Sequence, residues 1–313
     1  MEELRGKKVL VTGGGGFLGT YVVERLQQSG CGDVIAPRSR ECDLRDPEVC
    51  RRILKDRKPD IVIHLAAVYG GVEVNRRQIG RIYYENAAMG LHLMEAARQA
   101  DVEKFVGCGS YAAYPRDAAV PFDEEDLWNG LPEDASAGYG LAKRTLLAQG
   151  QFYRRQYGFR AIHLVPAHLY GPRDRFDPAS SNVVAALIRR CCEAARQGGD
   201  ALTVWGSGKA AREFLYAEDA AEAFVLAAAR YDGEKPVNIG TGIETPIRAL
   251  AETIAETVGF RGRLEWDASK PDGHPRRCLD VRRAKTELGF EAKTGLAEGI
   301  RRTVAWYLEH RPV

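Results

Sequence analysis

The sequence predicts an α/β protein built on a doubly wound parallel sheet, and three observations carry that prediction. Short apolar runs alternate with longer helical patterns through the first half of the chain. Each run is near-continuously apolar, as strands covered on both faces require. The first run leads straight into four glycines and then a helical pattern, in "VLVTGGGGFLGTYVVERL".

In chain order the strands fall at 7–13 ("KKVLVTG"), 33–37 ("DVIAP"), 60–67 ("DIVIHLAA"), 104–110 ("KFVGCGS") and 160–166 ("RAIHLVP"). Helical stretches lie between them at 17–29, 47–57, 75–100 and 139–157. Strand–helix–strand units of this kind join by right-handed crossovers. Beyond Pro166 proline and glycine become more frequent, as in "YGPRDRFDP", "VWGSGK" and "KPDGHP". This divides the chain into a first domain over 1–166, rejoined by about 213–240, and a smaller lobe over 167–212 and 241–313. The helix at 217–231 and the strand in "PVNIG" supply the rejoining segment.

At 313 residues the chain can bury a substantial core. A formal net charge of +2, with 45% hydrophobic and 28% charged residues, gives no reason to expect nucleic acid or a membrane as partner. Local basic clusters such as "LIRRCC" and "HPRRC" remain available to a small polyanion. No run approaches the ~20 apolar residues of a membrane span, and the first residues enter a strand with no signal-peptide pattern. Seven scattered cysteines, with only Cys191 and Cys192 adjacent, show no metal-ligand spacing and read as a reduced, cytoplasmic protein.

Gly13, Gly16 and Gly19 give the spacing GxxGxxG between a strand and a helix. Such a turn lets the backbone approach a pyrophosphate while the helix N-terminus offers it free N–H groups. Enzymes selective for NAD(H) carry an acid at the end of the second strand. Here that end reads "VIAPRSRECDLRD", with Arg38 and Arg40 where a guanidinium can meet a 2′-phosphate. NADP(H) is favoured over NAD(H), against the plainer alternative of two solvated arginines. Asp43 and Leu44 fall where they would border the adenine.

Ser110 ends the fourth strand, at the sheet edge where open α/β folds bind ligands. In "SAGYGLAKRT", Tyr139 and Lys143 stand at i and i+4 on one helix face. A lysine charge beside a phenol is expected to draw its pKa down toward neutrality, making a tuned acid/base. The serine hydroxyl would hold a carbonyl oxygen beside that phenol.

These residues, with "DIVIHLAA", "ENAAMGLHLMEAA", "LYGPRD" and "REFLYAEDAAEA", resemble the extended short-chain dehydrogenase/reductases along essentially the whole chain. That family comprises nucleotide-sugar epimerases, dehydratases and reductases on a Rossmann-like sheet. The resemblance implies further cofactor contacts at Phe17, Leu18, Leu65, Ala66 and Ala67, and at Asn86, Pro166 and His168, with Tyr139 and Lys143 shared between cofactor and chemistry. It also implies substrate contacts at Tyr111, His168 and Asn182. At the nucleotide end it implies Arg189 (or its neighbour Arg190), Trp205, Arg212, Lys270 and Asp272. Surface charge for the arginines and a core position for Trp205 are the alternatives. A homodimer through paired helices is a further implication of the resemblance.

Within the family, "RIYYENAAMG", "VWGSGKAAREFLYAEDAA" and "DASKPDGHPRRCLDV" are most similar to the GDP-L-fucose synthase branch. That branch epimerises a GDP-linked 4-keto sugar with a cysteine and a histidine before reducing it. The matching positions here are Ala112 in "GSYAAYP" and Asn182 in "SSNVVAALIRR", and neither side chain can exchange a proton with a sugar carbon near neutral pH. Cys108 precedes the serine and reads as core. His168, where the branch has asparagine, reads as a substrate contact ahead of a substitute base.

The expected activity is therefore NADP(H)-dependent C4 reduction of a GDP-linked 4-keto sugar without epimerisation. The alternative is a nucleotide-sugar C4 epimerase that keeps NAD bound. A 4,6-dehydratase is disfavoured because its acidic pair is missing from "GSYAAYP", and a non-catalytic dinucleotide sensor because serine, tyrosine and lysine are all present. Irregular loops at 69–77 and 111–128 would decide which sugar fits.

Overall fold

Strands without a polar face need helices on both sides, and the chain supplies them in turn. The computed structural model describes residues 2–310 apart from Ala179 and Pro271. It begins β1 (Lys8–Thr12), α1 (Phe17–Gln28), β2 (Asp33–Ile35), α2 (Pro47–Arg57), β3 (Ile61–His64), α3 (Val72–Arg77), α4 (Ile79–Gln99), β4 (Lys104–Cys108), α5 (Ala137–Tyr157) and β5 (Ala161–Pro166). β3 and β5 are buried at every residue, as their continuous apolar runs require. The Asp46–Pro47 pair explains the sharp start of α2: the Asp46 carboxylate accepts from the Glu48 N–H, and proline occupies the first turn, where no N–H is needed.

The chain continues β6 (His168–Tyr170), α6 (Val183–Arg196), β7 (Ala201–Trp205), β8 (Ala211–Arg212), β9 (Phe214–Tyr216), α7 (Ala217–Arg230), β10 (Val237–Ile239), β11 (Thr245–Pro246), α8 (Ile247–Val258), β12 (Arg263–Asp267), β13 (Arg276–Arg277) and α9 (Leu296–His310). The main sheet has six parallel strands in the order β10-β5-β4-β3-β1-β2. The order reverses at β1, so a crevice opens beyond the carboxyl ends of β1 and β3. Thr12 Oγ1 and His64 Nδ1 join those two ends at 2.8 Å.

One face of the sheet is covered by α1 and α7 through Val22, Leu26, Phe224 and Val225, and the other by α2, α4 and α5 through Leu54, Leu93, Met94 and Leu146. A separate apolar cluster joins α6, α8 and α9 through Ile188, Ile254 and Val304. Small sheets β7–β12 and β6–β9 contribute side chains to this second cluster, and a third small sheet has the order β11–β8–β13.

The fold departs from the sequence expectation in three places. The single helix expected over 75–100 is broken at Gln78, whose backbone leaves the helical region (φ −115, ψ 28), giving α3 and α4. The Asn75 amide reaches back to Gly70, accepting from its N–H at 3.2 Å and donating to its carbonyl at 2.9 Å. The stretch 69–77, expected to be an irregular loop, therefore carries the short α3. Finally, β2, β3 and β4 stop at Ile35, His64 and Cys108, short of the expected 37, 67 and 110, and the chain turns there into the rim of the crevice.

Candidate active site

At the crevice lies a cleft of about 990 Å³. Its floor is the turn from β1 to α1, where Gly13, Gly16 and Gly19 all line the cleft with Phe17 and Leu18. Gly13 has φ +71, and a Cβ there would lie 2.7 Å from the Ala66 nitrogen. A Cβ on Gly19 would collide with the Gly13 carbonyl oxygen. Gly16 caps α1 with no side chain, so the first N–H groups of the helix are left to a ligand. These are the requirements of a pyrophosphate cradle, and a dinucleotide fits the residues present.

Arg38, Arg40, Asp43 and Leu44 line the next part of the cleft. The Arg38 guanidinium crosses the glycine turn, donating to the Gly15 carbonyl at 3.3 Å, whereas Arg40 is exposed beside Glu41. Arg45 donates to both Asp43 oxygens and holds that carboxyl below its ordinary range. Arg45 also bridges to Glu85 at 3.0 Å. Leu65, Ala66 and Ala67 border the cleft beyond β3.

Asn86 does not reach the cleft. Its amide nitrogen donates to the Val68 and Ile82 carbonyls at 2.8 and 2.7 Å, and its oxygen accepts from the Val68 N–H at 3.0 Å. It thereby fixes the cleft wall after β3.

Ser110 and Tyr139 both line this cleft, as do Cys108, Tyr111, Pro166 and His168. Helix α5 carries Tyr139 at its first turn and aims it at the cleft, while Lys143 is buried behind it with Nζ 5.4 Å from the ring centre. Burial pushes the Tyr139 phenol well above its ordinary value, with Cys108, Tyr69 and Tyr111 adding to the rise. Burial pushes the Lys143 ammonium down, partly opposed by Cys108. This corrects the sequence expectation of a phenol drawn toward neutrality: loss of water dominates, and Lys143 is not among the groups that shift it, so Tyr139 is held protonated. Cys108 packs on the core and also borders the cleft, and burial raises its thiol despite Lys143.

Tyr111 and His168 form a second group. Their rings stack with centres 6.1 Å apart, and Tyr111 Oη lies 3.2 Å from His168 Nδ1. Burial, then Arg212 and Arg277, lowers His168 to about 4, so it is neutral at physiological pH. The Arg277 guanidinium stands 5.3 Å from the Tyr111 ring centre and pairs with Glu133. Arg212 joins Tyr111, His168 and Arg277 around a side pocket, and burial followed by Arg277 lowers its pKa.

Asn182 lines the cleft at the start of α6, and Ala112 lines it beside Ser110, donating its N–H to Ser110 Oγ at 3.2 Å. Arg189 does not line the cleft, since its guanidinium donates to Glu193 at 2.7 Å. Trp205 is 68% exposed, with Lys270 Nζ 5.8 Å from its ring centre. Asp272 accepts from the Ser207 N–H and hydroxyl at 2.6 and 2.7 Å. These three lie together beyond the cleft's own lining.

Sequence reasoning missed three contributors. Tyr69 packs against Tyr139 with ring centres 4.7 Å apart and planes tilted by 52°, from a stretch read only as loop. Arg277 was legible only as part of the basic cluster "HPRRC". Arg144 gave no signal, yet its Nε and Nη1 each donate at 2.6 Å, to Ala113 and Gly130, tying the loop after Ser110 onto α5.

A glycine cradle at the reversal of a parallel sheet, with a tyrosine–lysine helix facing it, defines a dinucleotide-binding α/β protein of the doubly wound class. The chain belongs to the NAD dependent epimerase/dehydratase family, whose pattern matches residues 9–240. It is 37% identical over 303 residues to GDP-L-fucose synthase 1 of Arabidopsis thaliana, covering 97% of this chain and 94% of that protein. Among solved structures it is similar to a GDP-6-OMe-4-keto-L-xylo-heptose reductase from C. jejuni, with TM-score 0.92 and 28% identity over 98% of this chain and 99% of that one. A second is MlghC, GDP-mannoheptose C4 reductase from Campylobacter jejuni with NADP bound, with TM-score 0.89 and 27% identity over 96% and 98% of the two chains. No described helix is long and apolar enough to cross a membrane.

Proposed function

We propose that this chain is an NADPH-dependent reductase that converts the C4 ketone of a GDP-linked sugar to an alcohol, without epimerising its neighbours. The observation that carries the reading is the protonated Tyr139 phenol in a cleft that Ser110 also lines and the glycine turn floors. Named relatives that act on GDP sugars, two of them C4 or 4-keto reductases, support the substrate class.

When bound, the nicotinamide supplies the hydride that goes to C4. The chain does the rest. Ser110 holds the ketone oxygen, and Tyr139 Oη gives that oxygen its proton as the carbonyl π electrons move onto it. Lys143 stabilises the phenolate left behind until solvent returns the proton. Arg38, with Arg40 at its side, would meet the 2′-phosphate. Arg212 and Arg277 would meet the sugar nucleotide's diphosphate, with 167–212 and 241–313 supplying the lobe that holds it.

Epimerisation at C3 and C5 needs an acid and a base over the sugar ring, and Ala112 and Asn182 offer neither. The test is turnover of a GDP-4-keto-6-deoxyhexose with NADPH in D2O. Deuterium should be absent from C3 and C5 of the product, and exchange at either carbon would show that an epimerase survives.

A further inference from the structure

The loop between β6 and α6 holds a carboxyl for which the mechanism above has no use. It is bolted down on both sides. Tyr21 Oη of α1 donates to the Pro172 carbonyl at 2.7 Å, and Arg173 pairs with Glu24 at 2.6 Å. Phe176 stacks on Trp306 of α9 and packs at a tilt against Tyr307, with ring centres 5.9 and 4.7 Å apart.

Between these bolts sits Asp174, 5% exposed and part of the cleft's lining. Its Oδ1 accepts from the Arg175 N–H at 2.7 Å. Its Oδ2 is buried and has no hydrogen-bond partner among the described residues. A buried carboxylate lacking a partner is destabilising by several kcal/mol, so such a group persists where something else keeps it.

We propose that Asp174 is a ligand-binding residue whose free carboxyl oxygen takes a hydroxyl of the molecule held in the cleft. This rests on the reading of the cleft as a site for a dinucleotide and a nucleotide sugar. A hydroxyl suits the position because it donates to a carboxylate and accepts from a carboxylic acid, so it pairs with either form. Both forms matter here: burial raises Asp174 to about 7, opposed by the Arg175 N–H and its charge. A phosphate would be repelled by the ionised form. Ribose and hexose both carry hydroxyls, and the cleft that Asp174 lines is also lined by Leu18 of the cofactor floor and by Ser180 and Asn182.

The test uses Asp174→Leu, which is close in shape but can neither donate nor accept a hydrogen bond. NADPH binding is titrated by fluorescence without sugar nucleotide, and then KM for a GDP-4-keto sugar is measured at saturating NADPH. We expect about a tenfold loss in one arm, the size of one hydrogen bond to a charged group. Loss in the first arm assigns the hydroxyl to the ribose, and loss in the second assigns it to the sugar. A folded variant with both constants unchanged overturns the proposal. So does a variant that no longer folds, since the carboxyl would then belong to the fold. Unsubstituted protein that failed to bind NADPH at all would overturn the reading of the cleft and this proposal with it.

Discussion

Lys143 Nζ stands 5.4 Å from the centre of the Tyr139 ring, one helical turn behind it, with the phenol facing the cleft and the ammonium buried. The lysine thus reaches Tyr139 from the protein side. Tyr139→Phe should lower turnover by about 10²–10⁴-fold with NADPH binding retained, because only the proton donor is lost. Lys143→Met should lower kcat as well, and a variant of either kind with undiminished kcat would remove the pair from the chemistry.

Arg38 and Arg40 are adjacent in the sequence signal but differ in space. Arg38 is drawn over the glycine turn, whereas Arg40 is spent on an exposed neighbour, Glu41. Arg38→Ala should therefore weaken NADPH by about tenfold, in line with losing one charge-assisted contact, and leave NADH unchanged. Arg40→Ala should do less. Equal losses for both coenzymes would mean that Arg38 supports the turn rather than reads the 2′-phosphate.

How far the sequence could be read follows from where each signal resides. Strand β3 announces itself because all four residues are buried and apolar runs need no partner to be recognised. The glycine turn and the Tyr139–Lys143 spacing are equally local. Asn86 shows the limit: a polar residue on α4 reads as a ligand contact, but its amide is used up on Val68 and Ile82. Arg277 arrives at Tyr111 from β13, across 166 positions of chain (277 − 111), and no local pattern encodes such a meeting. The break at Gln78 is a backbone departure (φ −115, ψ 28) inside an otherwise continuous helical pattern, and no residue type there announces it. Asp174 and Arg144 matter through what surrounds them, and burial is invisible in a list of residues.

Acid should destabilise the fold through its buried histidines. Burial, with Lys143 contributing, lowers His64 and His163 to about 3, from an ordinary value of 6.5. The unfolded chain then binds more protons, so the stability is full above about pH 6.5 and is lost as pH falls toward 3. Between pH 7 and 5 each such histidine costs about 2 kcal/mol. His163 is the cleaner test because its Nε2 has no hydrogen-bond partner among the described residues, so His163→Leu gives up only the ring's bond to the Leu146 backbone at pH 7. Urea unfolding at pH 7 and 5 should show a shallower acid loss in that variant. An unchanged pH slope would mean that the loss arises elsewhere.

The reductase and epimerase readings of one cleft part company over what the protein keeps. A reductase consumes one NADPH per turnover, so its cleft must release the oxidised coenzyme each time. A C4 epimerase recycles a single NAD and gains nothing by letting it go. The Arg38 guanidinium at the glycine turn and the protonated Tyr139 phenol both suit the first case. Gently denaturing the purified protein and identifying the released dinucleotide by absorbance and mass spectrometry tests this directly. We expect an empty site, or NADP(H) at well below one equivalent. Stoichiometric NAD would overturn the reductase assignment and move the search from GDP-4-keto sugars with NADPH to sugar nucleotides whose C4 hydroxyl is already in place.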